Sequence, residues 1–144
     1  MKQISAVLKS KGSSVTTIGP DATVAAAVAE MARRNVGALV VSSDGRTVEG
    51  IVSERDVTRA LDSFGGALLD QPIRLIMTSE VRTASPDENI ESLAVMMTEY
   101  RIRHVPVLED GVLAGIISVG DVVKSRIEEL EEDRDALLQY IQAR

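Results

Sequence analysis

The chain has 144 residues, with 16 basic and 22 acidic side chains, a net charge of −6, a hydrophobic content of 44% and no cysteine. Disulfides, thiolate metal sites and a cysteine nucleophile are thereby excluded, and the single histidine, His104, cannot build a histidine-rich metal site. The acidic balance opposes non-specific nucleic-acid binding, and Phe64, Tyr100 and Tyr140 are too few aromatics for a base-stacking platform.

The predicted elements begin with a short helical lead-in at Ile4–Lys11. A β-prone stretch, Val15–Ile18, then meets Pro20-Asp21, past which Val24, Ala27, Val28 and Met31 recur at the spacing of a helix with one apolar face. Ala38–Val41 reads as a strand, Asp44-Gly45 as a hairpin turn and Val48–Val52 as the returning strand, and a helix starts at Ser53. A polar, glycine-bearing connector, Asp62–Gln71, leads to a second helical lead-in at Ile73–Met77. The series then repeats: Val81–Thr83, Pro86-Asp87, a helix carrying Ile90, Leu93, Ala94 and Met97, strand Val105–Leu108, turn Asp110-Gly111, strand Leu113–Ile117 and a helix from Ser118. In the last helix Val123, Ile127, Leu130, Leu137 and Ile141 follow a 4-3 spacing, with Arg134 at the skipped place. This seam either packs on its own domain or forms a homodimer contact.

The second series re-reads the first at an offset of 66 residues (Val81 against Val15), then 65 after one deletion in a turn (Val122 against Val57). Identities fall at Val15/Val81, Thr17/Thr83, Pro20/Pro86, Asp21/Asp87, Met31/Met97, Val41/Val107, Asp44/Asp110, Gly45/Gly111, Gly50/Gly115, Ile51/Ile116, Ser53/Ser118, Asp56/Asp121 and Val57/Val122. Chance alone would give roughly two or three, so the chain carries a duplication. A unit of about 60 residues buries too little surface to be stable alone, so the two copies, residues 1–66 and 67–144, should share a core. The expected class is α/β (α+β): two β-α-β-β-α repeats about a pseudo-twofold axis, with candidate clefts along it. No apolar run approaches the roughly 18 residues of a membrane span, and Met1–Lys11 lacks a signal peptide's apolar stretch. A cytoplasmic protein with neither membrane nor nucleic-acid partner is expected.

Both copies end in Gly-Ile-(Val/Ile)-Ser-x-x-Asp, Gly50–Asp56 and Gly115–Asp121. A strand entering a helix through serine gathers a hydroxyl and unpaired backbone N–H groups where the helix dipole favours an anion. A carboxylate three residues on can accept hydrogen bonds from a ribose diol. The same Ser-x-x-Asp is also close to a capping box, whose side chains satisfy only their own backbone, and duplication would copy a cap as faithfully as a site.

On Gly50–Asp56, Gly115–Asp121, the run Arg101-Ile102-Arg103-His104-Val105-Pro106-Val107 and the two Pro-Asp helix starts, nearly the whole chain resembles a tandem pair of cystathionine-β-synthase (CBS) domains. The resemblance implies two units joined through their sheets, with adenosine-containing ligands bound in two clefts between them. It makes Asp56 and Asp121 the ribose carboxylates and puts Ser53 and Ser118 at the phosphate end. Val36, Gly37 and Ala38, and Ile102, Arg103 and His104, become ligand contacts at the second-strand entries. The adenine edge falls on backbone near Ser13, Ser14 and Val15 and near Ser79, Glu80 and Val81.

The copies differ in charge: Arg55 stands in the first Ser-x-x-Asp loop where Gly120 stands in the second, and Arg103-His104 replace Gly37-Ala38. One source of positive charge per site, and two unlike occupants, are therefore expected. Arg103 and His104 could equally be a solvated strand end, and Val36 and Ile102 plain core residues. The function expected is a non-catalytic regulatory sensor binding AMP, ADP, ATP or NAD(H), with no required cofactor or metal and an unknown regulated protein. A structural adaptor with empty clefts is the alternative. Catalysis is not expected, since neither a Ser/His/Asp order nor a Gly-x-x-x-x-Gly-Lys loop is present.

Overall fold

The computed structural model describes residues 2–143. Helix α1 (Ile4–Lys11) leads into strand β1 (Thr17–Ile18), helix α2 (Val24–Arg34), strands β2 (Ala38–Val41) and β3 (Gly50–Ser53) and helix α3 (Glu54–Phe64). The second copy supplies α4 (Ile90–Tyr100), β4 (His104–Glu109), β5 (Val112–Ser118) and α5 (Val119–Gln142). Helices α2 and α4 start where polar caps hold their free N–H groups. Thr23 Oγ1 accepts from the Ala26 N–H at 3.1 Å, and Asn89 Oδ1 accepts from the Ser92 N–H at 2.8 Å. Their apolar faces bury Val24, Ala27 and Met31, and Ile90, Leu93 and Met97.

In the first copy β1 runs parallel to β2, which is antiparallel to β3. The second copy departs from expectation, because Val81–Thr83 forms no strand and only a bridge of Ala84 to Val107 remains beside β4 and β5. Pro106 accounts for this. It accepts from the Ala84 N–H at 3.0 Å, but its ring nitrogen has no hydrogen to return to the neighbouring chain, as a parallel ladder requires. The turns differ as well. Asp110 and Gly111, both at positive φ, close a two-residue hairpin. The first turn is wider, held by Asp44 Oδ1, which accepts from the N–H groups of Arg46 and Thr47 at 2.8 and 2.7 Å, so β3 starts at Gly50 rather than Val48.

The connector is not an open polar link. Helix α3 runs to Phe64, and a 3₁₀ helix, Gly65–Asp70, buries Leu68 in the first core. The second lead-in is shorter than expected, helical only over Ile73–Leu75, since Thr78 turns to pair with Ile51 through bonds of 2.9 and 3.0 Å.

Each lead-in packs on the other copy. Ile4, Val7 and Leu8 join Ile90, Leu93 and Ile117 in one core, while Ile73 and Met77 join Val24, Leu39 and Val52 in the other. The backbone repeats this crossing: Ile4 N–H donates to Glu88 O at 2.8 Å as Ile73 N–H donates to Ala22 O at 2.9 Å. Division at residue 66/67 therefore follows the sequence but cuts through both cores. Two glycines permit the crossing. A Cβ at Gly50 would stand 2.6 Å from Met77 Sδ, and one at Gly115 2.5 Å from Leu8 Cδ2.

Candidate functional site

Ser53 and Ser118 cap α3 and α5 from extended backbone, and both capping boxes are complete. Asp56 Oδ2 accepts from the Ser53 N–H at 2.9 Å and the Ser53 hydroxyl at 3.0 Å. Its other oxygen accepts from no protein group among the described residues, so the cap consumes half of the carboxylate and leaves half to a ligand.

Asp56 lines a cavity of about 540 Å³ between the repeats, within the usual range for small-molecule sites. One wall is the β3–α3 turn, with Ser53, Glu54, Arg55 and Asp56, continued along α3 by Thr58 and Arg59. The opposite wall is Arg101, Ile102, Arg103 and His104 at the entry of β4, and the floor is Thr78, Glu80, Val81 and Arg82 beside Ile51 and Gly37. Arg55, Arg59, Arg82, Arg101 and Arg103 put five arginines among the residues lining one cavity of a protein with net charge −6. The acids among its lining residues are Glu54, Asp56 and Glu80, so the local balance is positive and suits an anion. Arg82 is held over the Tyr100 ring, 3.5 Å from its centroid.

His104 lies between charges of both signs. Burial pushes its imidazole below the ordinary value, Glu54 and Asp121 oppose that shift, and Arg103 and Lys11 reinforce it. Gly37 lies against this junction, where a Cβ would come into van der Waals contact with Glu54 Oε1 and His104 Cε1, each at 3.4 Å.

Of the residues singled out from sequence, Gly37, Ser53, Arg55, Asp56, Glu80, Val81, Ile102, Arg103 and His104 line this cavity. Val36 lies instead in a neighbouring hollow of about 330 Å³ with Val28, Met31 and Val57, and Ala38 is buried in β2. Ser79 is exposed between two lining residues, and Ser13, Ser14, Val15, Ser118, Gly120 and Asp121 are not among those lining the cavity.

The expectation of one positive source per site is corrected. The repeats cross, so the strand entry of the second faces the helix start of the first, and Arg55 and Arg103 share one cavity. On the other side of the axis the cation is Lys11 of α1, whose Nζ donates to Asp121 Oδ2 at 2.6 Å. Burial works to raise the Asp121 carboxyl, but hydrogen bonds from Lys11 and Ser118 outweigh it and hold the group below the ordinary range. Arg59, Arg82, Arg101 and Thr78 escaped the sequence reading. Arg59 had a local signal in its i+4 spacing from Arg55 on one helix face, and Arg101 in its place at the head of the run Arg101–Val107.

Comparison with known proteins gives two matches to the CBS domain, over residues 10–63 and 73–128. The CBS domain-containing protein CBSX3, mitochondrial, of Arabidopsis thaliana is 39% identical over 150 aligned positions, covering 96% of this chain and 71% of that protein. The crystal structure of the CBS-domain protein ATU1752 of Agrobacterium tumefaciens superposes with a TM-score of 0.84 at 41% identity, covering 87% and 99% of the two chains. The CBS domain pair of protein MJ0100, solved with 5′-methylthioadenosine and S-adenosyl-L-methionine, shares the fold at a TM-score of 0.76 and 24% identity, covering 85% and 98%.

Proposed function

Because the chain belongs to the CBS-domain family, we propose that it is a non-catalytic sensor that binds a phosphorylated adenosine compound (AMP, ADP, ATP or NAD(H)) between its repeats. One observation carries this reading: Asp56, with one carboxylate oxygen left unused by its cap, and five arginines line the same cavity. A ribose diol would donate to Asp56, and the phosphates would meet the guanidinium groups, which bind such oxygens bidentately. The adenosyl ligands of the MJ0100 pair support the adenosine part. Signalling would be linkage: a ligand touching Ser53–Asp56 of one repeat and Arg101–His104 of the other favours the arrangement of repeats that holds both walls together. Mass spectrometry of small molecules released from the purified protein, followed by calorimetric titration with AMP, ADP, ATP and NAD, tests it. Binding of at least one, with the ligand intact after prolonged incubation, is expected. Absence of binding by all four refutes the reading, and turnover refutes its non-catalytic part.

The proposed setting is the cytoplasm; among the described residues no helix is long and apolar enough to cross a membrane.

A homodimer through α5 is the proposed means of passing the signal on. Val123, Ile127, Leu130, Leu137 and Ile141 are each more than half exposed, so the seam does not pack on its own chain. At 24 residues and about 1.5 Å per residue, the helix is long enough for a paired seam. Light scattering should give twice the 15.5 kDa chain mass, falling to the monomer in Leu130→Glu/Leu137→Glu; a monomeric wild type rejects this route.

A further inference from the structure

We propose that the chain closes one of its two pseudo-equivalent clefts with its own Lys11 and therefore takes one nucleotide rather than two. This rests on the nucleotide reading of the open cavity. The two clefts differ in what meets the carbonyl near the end of the returning strand. In the first, the carbonyl of Ile51 accepts from the backbone N–H of Thr78 at 2.9 Å. In the second, the carbonyl of Ile116, the counterpart of Ile51, accepts from Lys11 Nζ at 2.8 Å, and the same ammonium donates to Asp121 Oδ2 at 2.6 Å. Asp121 is the counterpart of Asp56; its Oδ2 accepts from the Ser118 N–H and from Lys11, where Asp56 Oδ2 accepts from the N–H and hydroxyl of Ser53, so among the described residues only the carboxylate of the second copy carries a cation.

The length of the lead-ins explains the difference. Ile4 and Ile73 are structural counterparts at an offset of 69 residues, whereas Val15 and Val81 stand 66 apart, so the first lead-in is three residues longer. Three residues are nearly one helical turn. They let α1 continue to Lys11, where the second lead-in has already turned to pair Thr78 with Ile51. Gly12, at φ 97, ends the helix there, its N–H bonded to Leu8 O at 2.8 Å. Lys9 and Lys11 occupy the last turn, where the helix dipole favours a cation.

Lys11 and Asp121 are only 32% and 21% exposed at their side chains. A ribose donating to Asp121 would compete with an ammonium already paired to that carboxylate and weaken the ion pair. Little there offsets that loss, since Val119 and Gly120 replace Glu54 and Arg55 at the helix start. Lys11 thus neutralises the carboxylate that a ribose diol would use and bridges it to the Ile116 carbonyl, and duplication has left one working site and one self-occupied copy.

Isothermal titration of the full chain with AMP and, separately, with ATP tests this. The expected stoichiometry is one nucleotide per chain for the wild type and for Lys11→Arg, which keeps a cation at Asp121, and two for Lys11→Met. Two per chain in the wild type, or one in Lys11→Met, overturns the closure while leaving the nucleotide reading intact. No binding of either nucleotide to any of the three proteins overturns both.

Discussion

Asn35 and Arg101 end equivalent helices in the same left-handed conformation, both at φ 54. Asparagine tolerates that region, whereas for most side chains it costs roughly 1–2 kcal/mol. The chain accepts this cost at Arg101, and Arg101 lines the cavity while Asn35 does not. Arg101→Asn is therefore expected to gain about 1 kcal/mol of stability while weakening nucleotide binding. Urea midpoints and calorimetry on the same preparation check the two effects together. A variant that gains stability with unchanged affinity would show that the strain serves something other than the ligand.

Ser53 and Asp56 share a cap, so their variants should separate two roles. Ser53→Ala removes the oxygen accepting from the Asp56 N–H at 3.3 Å and is expected to cost about 1 kcal/mol of stability. Asp56→Ala loses the return bonds of the cap and also the ribose acceptor. Its affinity should fall by the value of a charge-assisted hydrogen bond, about 1.5–3 kcal/mol, roughly tenfold or more. Equal affinities in wild type and Asp56→Ala would leave Asp56 as a cap alone.

The five arginines should act on phosphate and not on the nucleoside. Arg103→Gln is expected to weaken binding of ATP several-fold while leaving adenosine unchanged, and wild-type affinity for ATP should decline as salt rises. Parallel losses for ATP and adenosine would mean that Arg103 shapes the adenosine end of the cavity instead.

Much of this was legible in the chain because duplication doubles each local signal. The Ser-x-x-Asp turns, both apolar helix faces and the first lead-in helix fall where periodicity and capping residues put them. What escaped is relative placement. Periodicity tells which face of a helix is buried, but not against which copy, so the exchange of lead-ins and the crossing that joins Arg103 to Arg55 were not visible. Arg82 and Arg101 reach the cavity through that crossing; each adjoins a residue expected to contact ligand, Val81 or Ile102, but periodicity gives neither arginine a cleft to face. Pro106 is a different case: its missing N–H stands in the sequence, but it acquires meaning only once its would-be partner strand is known.

His104 should make stability depend on pH. Its burial holds the folded imidazole below the ordinary value of 6.5, with Glu54 and Asp121 opposing and Arg103 and Lys11 adding to the shift. Above that value the imidazole is neutral in both states and the contribution of the buried ring is complete. As the pH falls through 6.5 the unfolded chain takes up its proton first, so stability declines until the folded value is reached. His104→Gln removes this dependence without adding bulk beside Gly37. The wild type is therefore expected to lose more of its urea resistance than His104→Gln between about pH 7 and pH 5, the window set by the ordinary imidazole value. Asp121 contributes the same slope to both proteins, because Lys11 and Ser118 hold its carboxyl low in each, and it cancels in the comparison. Midpoints of the two proteins that fall in parallel would show that His104 titrates as a solvated side chain, and would remove it from the wall of the cavity.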